Sequence, residues 1–126
     1  MMTTSVECAV ELTYDRATHA DMVGLEQAAA LAGATTSQLR RWASMARPCV
    51  IALDHPSLGL QFPCWQFKAP LWLVVRELSQ AMGGSSWARL AWFESANGAF
   101  EGRTPRAALE QGESAVRVLN AARCAD

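Results

Sequence analysis

The chain has no surplus of positive charge, no long apolar run and no ordered pattern of cysteine or histidine, and each lack removes a class of function. Over 126 residues the formal net charge is −1, so the molecule as a whole is not a polycation. No stretch of about 18 apolar residues occurs without an interrupting Arg, Asp or Pro, and a transmembrane helix is not expected. The four cysteines, Cys8, Cys49, Cys64 and Cys124, form no C-x-x-C pair and have no histidine at ligand spacing. They read as thiols packed as small apolar side chains, not as a metal site. His19 and His55 have no partner pattern nearby, so metal hydrolysis and Cys/His nucleophilic chemistry are not expected. Neither glycine-rich phosphate loop is present, which leaves no readable nucleotide site. The opening "MMTTSVECAVELTYDR" starts without Lys or Arg and carries Glu7 and Glu11 where a secretory leader is uncharged. The expectation is a cytoplasmic protein that is not an enzyme, with no cofactor, no metal and no membrane partner.

What is present is apolar material and segregated charge. Hydrophobic residues make up 51% of the chain, enough for one compact domain or two small modules sharing a core. Residues 1–32 hold five acids against Arg16, a balance of −4; residues 33–68 hold Arg40, Arg41, Arg47 and Lys68 against Asp54, a balance of +3; residues 69–126 balance at 0. Phosphate binding depends on potential within a Debye length, about 8–10 Å, and not on the sum over the chain. The positive charge is concentrated in one segment.

That segment is also the best punctuated. Residues 1–22 are ambiguous: "VECAVELTY" alternates as a strand does, yet Val6, Val10 and Tyr14 fit one helical face, and the stretch reads as an N-terminal arm available to a dimer. From Val23 onward Leu25, Ala28, Ala29 and Ala32 form an apolar stripe at helical spacing, and Gly33 stops it. Thr35 followed by Gln38 predicts a capping box opening a second helix that runs to about Ala46, ended by Pro48. Leu39 and Trp42 then face inward. Thr36, Ser37, Gln38, Arg40, Arg41, Ser44 and Arg47 are left outside, residue types that hydrogen-bond bases and phosphates. "CVIAL" (49–53) and "LQF" (60–62), separated by the turn chemistry of "DHPSLG", predict a β-hairpin.

Two helices joined by "GAT", with Ala29 in the first helix, Gly33 at the turn and the anchors Leu39 and Trp42, followed by a hairpin, resemble the winged helix-turn-helix of the MerR and excisionase type over residues 23–68. The resemblance implies double-stranded operator DNA as partner, read by the second helix in the major groove with the hairpin as wing. The same residues also fit an αα-hairpin with an ordinary β-hairpin packed on it, in which Arg40 and Arg41 are a solvated face. "FPCWQF" and "KAP" mark a module boundary, where Trp65 and Phe67 serve as glue between modules or as stacking platforms.

Residues 69–126 read as four short helices. The first begins at Pro70 and presents Leu71, Val74, Val75, Leu78 and Met82 before Gly83 and Gly84. Ser86 caps the second, which buries Trp87, Leu90 and Ala91. Thr104 and Pro105 open the third, closed by Gly112, and Ser114 opens the fourth, with Val116, Leu119 and Ala122 as its stripe. Trp92, Asn97, Phe100, Gly102, Thr104, Pro105, Leu109, Gly112, Val116 and Leu119 resemble, in residue and spacing, the toxin-binding domain of antitoxins of the Xre, MbcA and ParS type. Phe100 stands where leucine is usual, and the N-terminal reader departs from the Xre form. The resemblance implies a DNA-binding antitoxin of a type II toxin-antitoxin system, a homodimer that represses its own operon and neutralises a toxin, such as a RES-domain enzyme that consumes NAD. Trp92, Asn97, Phe100, Arg117 and Arg123 are the expected partner-binding residues. A stand-alone dimeric transcription regulator or mobile-element accessory protein is the alternative. The expected architecture is thus mainly α with a small β-hairpin wing: an arm (1–22), a helix-turn-helix module (23–68) and a small four-helix bundle (69–126).

Overall fold

A computed structural model of the chain describes residues 12–45, 49–81 and 85–124. The expectations placed on residues 1–11 and on Ala46, Arg47, Pro48, Met82, Gly83 and Gly84 lie outside the described residues. The fold is mainly helical with one small antiparallel sheet. The elements run in the order α1 (residues 12–17), β1 (Met22–Val23), α2 (Leu25–Ala32), α3 (Thr36–Ser44), β2 (Leu53–His55), β3 (Gly59–Pro63), a 3-10 turn (Cys64–Phe67), α4 (Leu71–Ala81), α5 (Ser86–Phe93), a second 3-10 turn (Gly98–Phe100), α6 (Pro105–Glu110) and α7 (Ala115–Arg123). No helix among the described residues is long and apolar enough to cross a membrane.

Local chemistry sets most helix ends where the sequence puts them. Gly33 takes the left-handed conformation at φ 68°, and the N–H groups of Gly33 and Ala34 donate to the Ala30 and Ala29 carbonyls, a Schellman stop. Thr104 accepts from the Ala107 N–H ahead of Pro105 at the first helical position. Ser85, not Ser86, caps α5 by accepting from the Ala88 N–H; between adjacent serines, only the one whose backbone stays extended fills the role. The inward stripes also shift. In α5 the deeply buried residues are Arg89, Leu90 and Phe93, with Trp87 packed at the rim of the core. In α7 they are Val118, Leu119 and Ala122, and Val116 is 65% exposed.

The sheet differs more. It has three strands in the order β1-β3-β2, with Val23 opposite Phe62 and Leu53 opposite Gln61. The expected strand at 49–53 is displaced: β2 starts at Leu53 and includes Asp54 and His55. The turn is Pro56–Leu58, followed by Gly59 at φ 73°, a three-residue hairpin loop closed by a left-handed glycine. The His55 Nδ1 accepts from the Ser57 and Leu58 N–H groups, so a histidine side chain caps this turn.

In the segment 49–52, outside the sheet, side chains serve the backbone of Ile51 and Ala52. Gln66, with no exposed surface, accepts from the Ile51 N–H at 2.9 Å and donates to the Ile51 carbonyl at 2.8 Å. The Ser86 hydroxyl accepts from the Ala52 N–H. Two apolar clusters form around this pin. The larger takes Ala17, Ile51, Leu53 and Trp65 together with residues of α4, α5, α6 and α7; the smaller takes Ala28, Ala29, Leu39, Val50 and Phe62. Trp65 and Phe67 therefore join packed layers, Trp65 in the larger cluster and Phe67 against the smaller one.

Residues 12–23 belong to this packed body. Arg16 is buried, and its guanidinium donates to both Asp21 oxygens at 2.8 and 2.7 Å and to Glu94 at the end of α5. Asp21 also accepts from the Trp65 indole N–H at 2.9 Å, and Arg106 lies over the Trp65 ring. Burial alone pushes the Asp21 carboxyl up, but the hydrogen bonds and charge of Arg16, with the indole, outweigh it and hold the carboxyl below its ordinary range.

Two outcomes follow from these buried contacts. Gln66→Met keeps the volume and strands the Ile51 N–H and carbonyl, so urea unfolding should lose about 2–4 kcal/mol with an unchanged m-value. Because Asp21 is depressed in the folded state, its stabilisation is complete above the ordinary carboxyl range, near pH 4, and disappears as pH falls through the lower folded value. Asp21→Asn should be less stable than the native chain at pH 7, with the gap closing on acidification; a gap independent of pH refutes the ionic assignment.

Candidate nucleic-acid interface

The outward face of α3 is built by its inward one. Thr35 accepts from the Gln38 N–H at 3.0 Å while the Gln38 amide oxygen accepts from the Thr35 N–H at 2.9 Å, the reciprocal box that starts the helix. One turn on, Leu39 is fully buried. Trp42 and Ala43 pack on the same cluster. With about 100° per residue, three inward positions determine the rest of the wheel. Thr36, Ser37, Gln38, Arg40, Arg41 and Ser44 are all exposed, as expected from the sequence; Arg47 lies outside the described residues.

These six are not equally available. The Gln38 oxygen is engaged in the box, and the Ser44 hydroxyl donates to the Arg41 carbonyl at 3.2 Å. Arg40 and Arg41 take part in no ion pair or side-chain hydrogen bond among the described residues. The other exposed or half-exposed arginines mostly have carboxylates: Arg103 meets Glu101 and Glu113, Arg106 meets Glu110 and Asp21, and Arg117 meets Glu113 and Glu101. The potential outside α3 is therefore more positive than the net charge suggests.

Trp72 and Arg76 were not legible as part of this site. Trp72, on α4, touches Trp42 at 6.3 Å and Phe67 at 5.3 Å between ring centroids. It supports α3 from outside the helical pair. Arg76 lies over the Trp72 ring at 5.6 Å, which brings a third exposed cation toward the Trp42 flank. Beside it is a cleft of about 340 Å³ lined by Cys49, Leu73, Arg76 and Glu77. The usable signal was an indole directly after Leu71, off the apolar stripe of α4.

Of the expected partner-binding residues, Asn97, Phe100 and Arg117 meet at one loop, and not all five are surface. Phe100 has no exposed surface, which corrects its assignment as a contact residue: it holds the 97–103 loop onto the core from inside. Asn97 accepts from the Ala99 N–H through its side chain and so shapes the same loop. Arg117 is exposed, lies over the Phe100 ring, and donates to the Ala99 carbonyl and to Glu113. Arg123 is exposed on the last turn of α7 and donates to Asn120. Trp92 is half-buried against Phe93, and its indole N–H has no hydrogen-bond partner among the described residues. Glu113 is held below its ordinary range chiefly by the hydrogen bond from Arg117. In comparisons with known proteins, the chain matches no family model, no curated protein and no solved structure.

Proposed function

We propose that the chain is a DNA-binding antitoxin that acts as a homodimer, with α2 and α3 as a helix-turn-helix, α3 in the major groove and the β2–β3 hairpin as wing. The observation that carries the DNA reading is the pair Arg40 and Arg41, exposed and without carboxylate partners among the described residues, on a helix whose opposite face is Leu39, Trp42 and Ala43. One copy supplies few cations. Two copies on a two-fold site double them, and the half-sites then lie about one helical turn apart. The antitoxin part rests on the resemblance of residues 86–123, on Arg117 standing exposed against the 97–103 loop, and on Arg123 exposed at the end of α7. Neutralisation needs no catalytic group, only a surface that blocks the toxin, for instance an NAD-consuming enzyme of the RES type.

A second reading, a stand-alone regulator, is favoured by one specific contact. Trp72 on α4 braces Trp42 on α3, so the C-terminal helices already have a task in supporting the reader.

Arg40→Ala should weaken binding to duplex DNA taken from upstream of the gene and lower the slope of log K against log salt by about one. Titration by fluorescence anisotropy at several salt concentrations measures both, and an unchanged slope removes Arg40 from the footprint. Co-expression with the adjacent gene separates the two readings. Growth rescued from a lethal neighbour supports the antitoxin, and DNA binding without any rescue supports the regulator.

A further inference from the structure

On the wheel of α3, the direction opposite Leu39, Trp42 and Ala43 passes through Ser37, Arg41 and Ser44, spaced i, i+4 and i+7 along the helix. Arg40 points about 100° to one side of Arg41. In a helix laid into a groove, the central line meets base edges and the flanks meet phosphates. Arg41 is thus the base-facing cation, and Arg40 the backbone-facing one.

The hydrogen-bonding character of that line is narrow. Reading adenine in the usual bidentate way needs an amide that accepts and donates at once. Gln38, on the flank opposite Arg40, has the right group, but its oxygen is turned back to the Thr35 N–H at 2.9 Å. The Ser44 hydroxyl proton is given to the Arg41 carbonyl, and the Ser37 hydroxyl serves either kind of edge and discriminates little. What remains is a guanidinium fork that only donates. Among the four bases, only guanine presents two acceptors, N7 and O6, side by side in the major groove; adenine and cytosine place an amino donor against the fork.

Resting on the DNA-binding reading above, we infer that Arg41 sets sequence preference by reading one guanine in each half-site through N7 and O6, with the capping box withholding Gln38 from adenine recognition. The box thereby starts the helix and narrows its specificity through the same hydrogen bond.

The full chain is tested against a duplex pool randomised over about 20 base pairs, enough for two half-sites, and selected duplexes are measured by anisotropy. Each selected guanine is then replaced by 7-deazaguanine, which lacks the N7 acceptor, and separately by inosine, which keeps N7 and O6 and loses only the minor-groove amino group. One guanine per half-site should lose about fivefold or more in affinity with 7-deazaguanine and little with inosine. Arg41→Ala should lose about 5- to 150-fold and become indifferent to the 7-deaza change. Far-UV circular dichroism checks that the variant keeps its helices; the modified-base arm needs no variant. Selected sites without guanine, native protein indifferent to every 7-deaza substitution, or Arg41→Ala still sensitive to it each overturn the inference while leaving DNA binding intact. A pool that yields no bound duplex overturns the DNA-binding reading, and this inference with it.

Discussion

The Gln66 amide is the constraint on which the rest of the arrangement depends. A peptide group removed from water must find partners or cost several times the net value of one hydrogen bond. Residues 49–52 run through the interior without a neighbouring strand, and Gln66 serves both backbone groups of Ile51. Fixing that crossing places Val50 in the smaller cluster and Ile51 in the larger one. It also fixes where β2 begins. On the 3-10 turn, the residues on either side of Gln66 are assigned by the same geometry, Trp65 to one cluster and Phe67 to the other. Two small cores thus behave as one body, and the helix bearing Arg41 inherits its orientation from it.

A second buried polar group does comparable work at the other end of the sheet. Arg16 is enclosed by Asp21 and Glu94, and it ties β1 to the end of α5. Burying a guanidinium is costly, but its planar fork satisfies several donors at once. Because Arg16 is buried and its pairing with Asp21 is bidentate, it specifies one docking of residues 12–23 where Ala17 and Met22 supply only modest apolar area.

How much of this was legible follows from the range of the forces involved. The Thr35/Gln38 box, the Gly33 stop and the Thr104-Pro105 start are settled within four or five residues, and the sequence displays them directly. The inside and outside of α3 were legible too, since Leu39 and Trp42 are strongly apolar against a polar remainder. Where the apolar pattern was ambiguous, tertiary contacts decided: Val116 and Val118 are chemically alike, and packing between α4 and α7 selects Val118. "CVIAL" has strand propensity, but the side-chain partners of Ile51 and Ala52 within it are Gln66 and Ser86, one 15 and the other 34 residues away. No window along the chain displays such a partner. Phe100 misled for a related reason: a motif position marks what holds a loop as readily as what the loop presents.

The charge of the chain resolves on the same basis. A net value of −1 counts cations that are already spent, since Arg16, Arg103, Arg106 and Arg117 sit against carboxylates and contribute little field beyond their pairs. Arg40 and Arg41 have no such neighbours among the described residues, so no adjacent carboxylate offsets their charge within the roughly 8–10 Å over which salt leaves it felt. For a polyanion approaching α3, the relevant quantity is this local pair, doubled if two copies are joined. If the chain binds DNA as proposed, a low total charge limits binding away from a preferred sequence, because nonspecific affinity scales with the number of phosphates neutralised. On the proposed reading, discrimination would rest on a few well-oriented donors, with little general attraction to mask it.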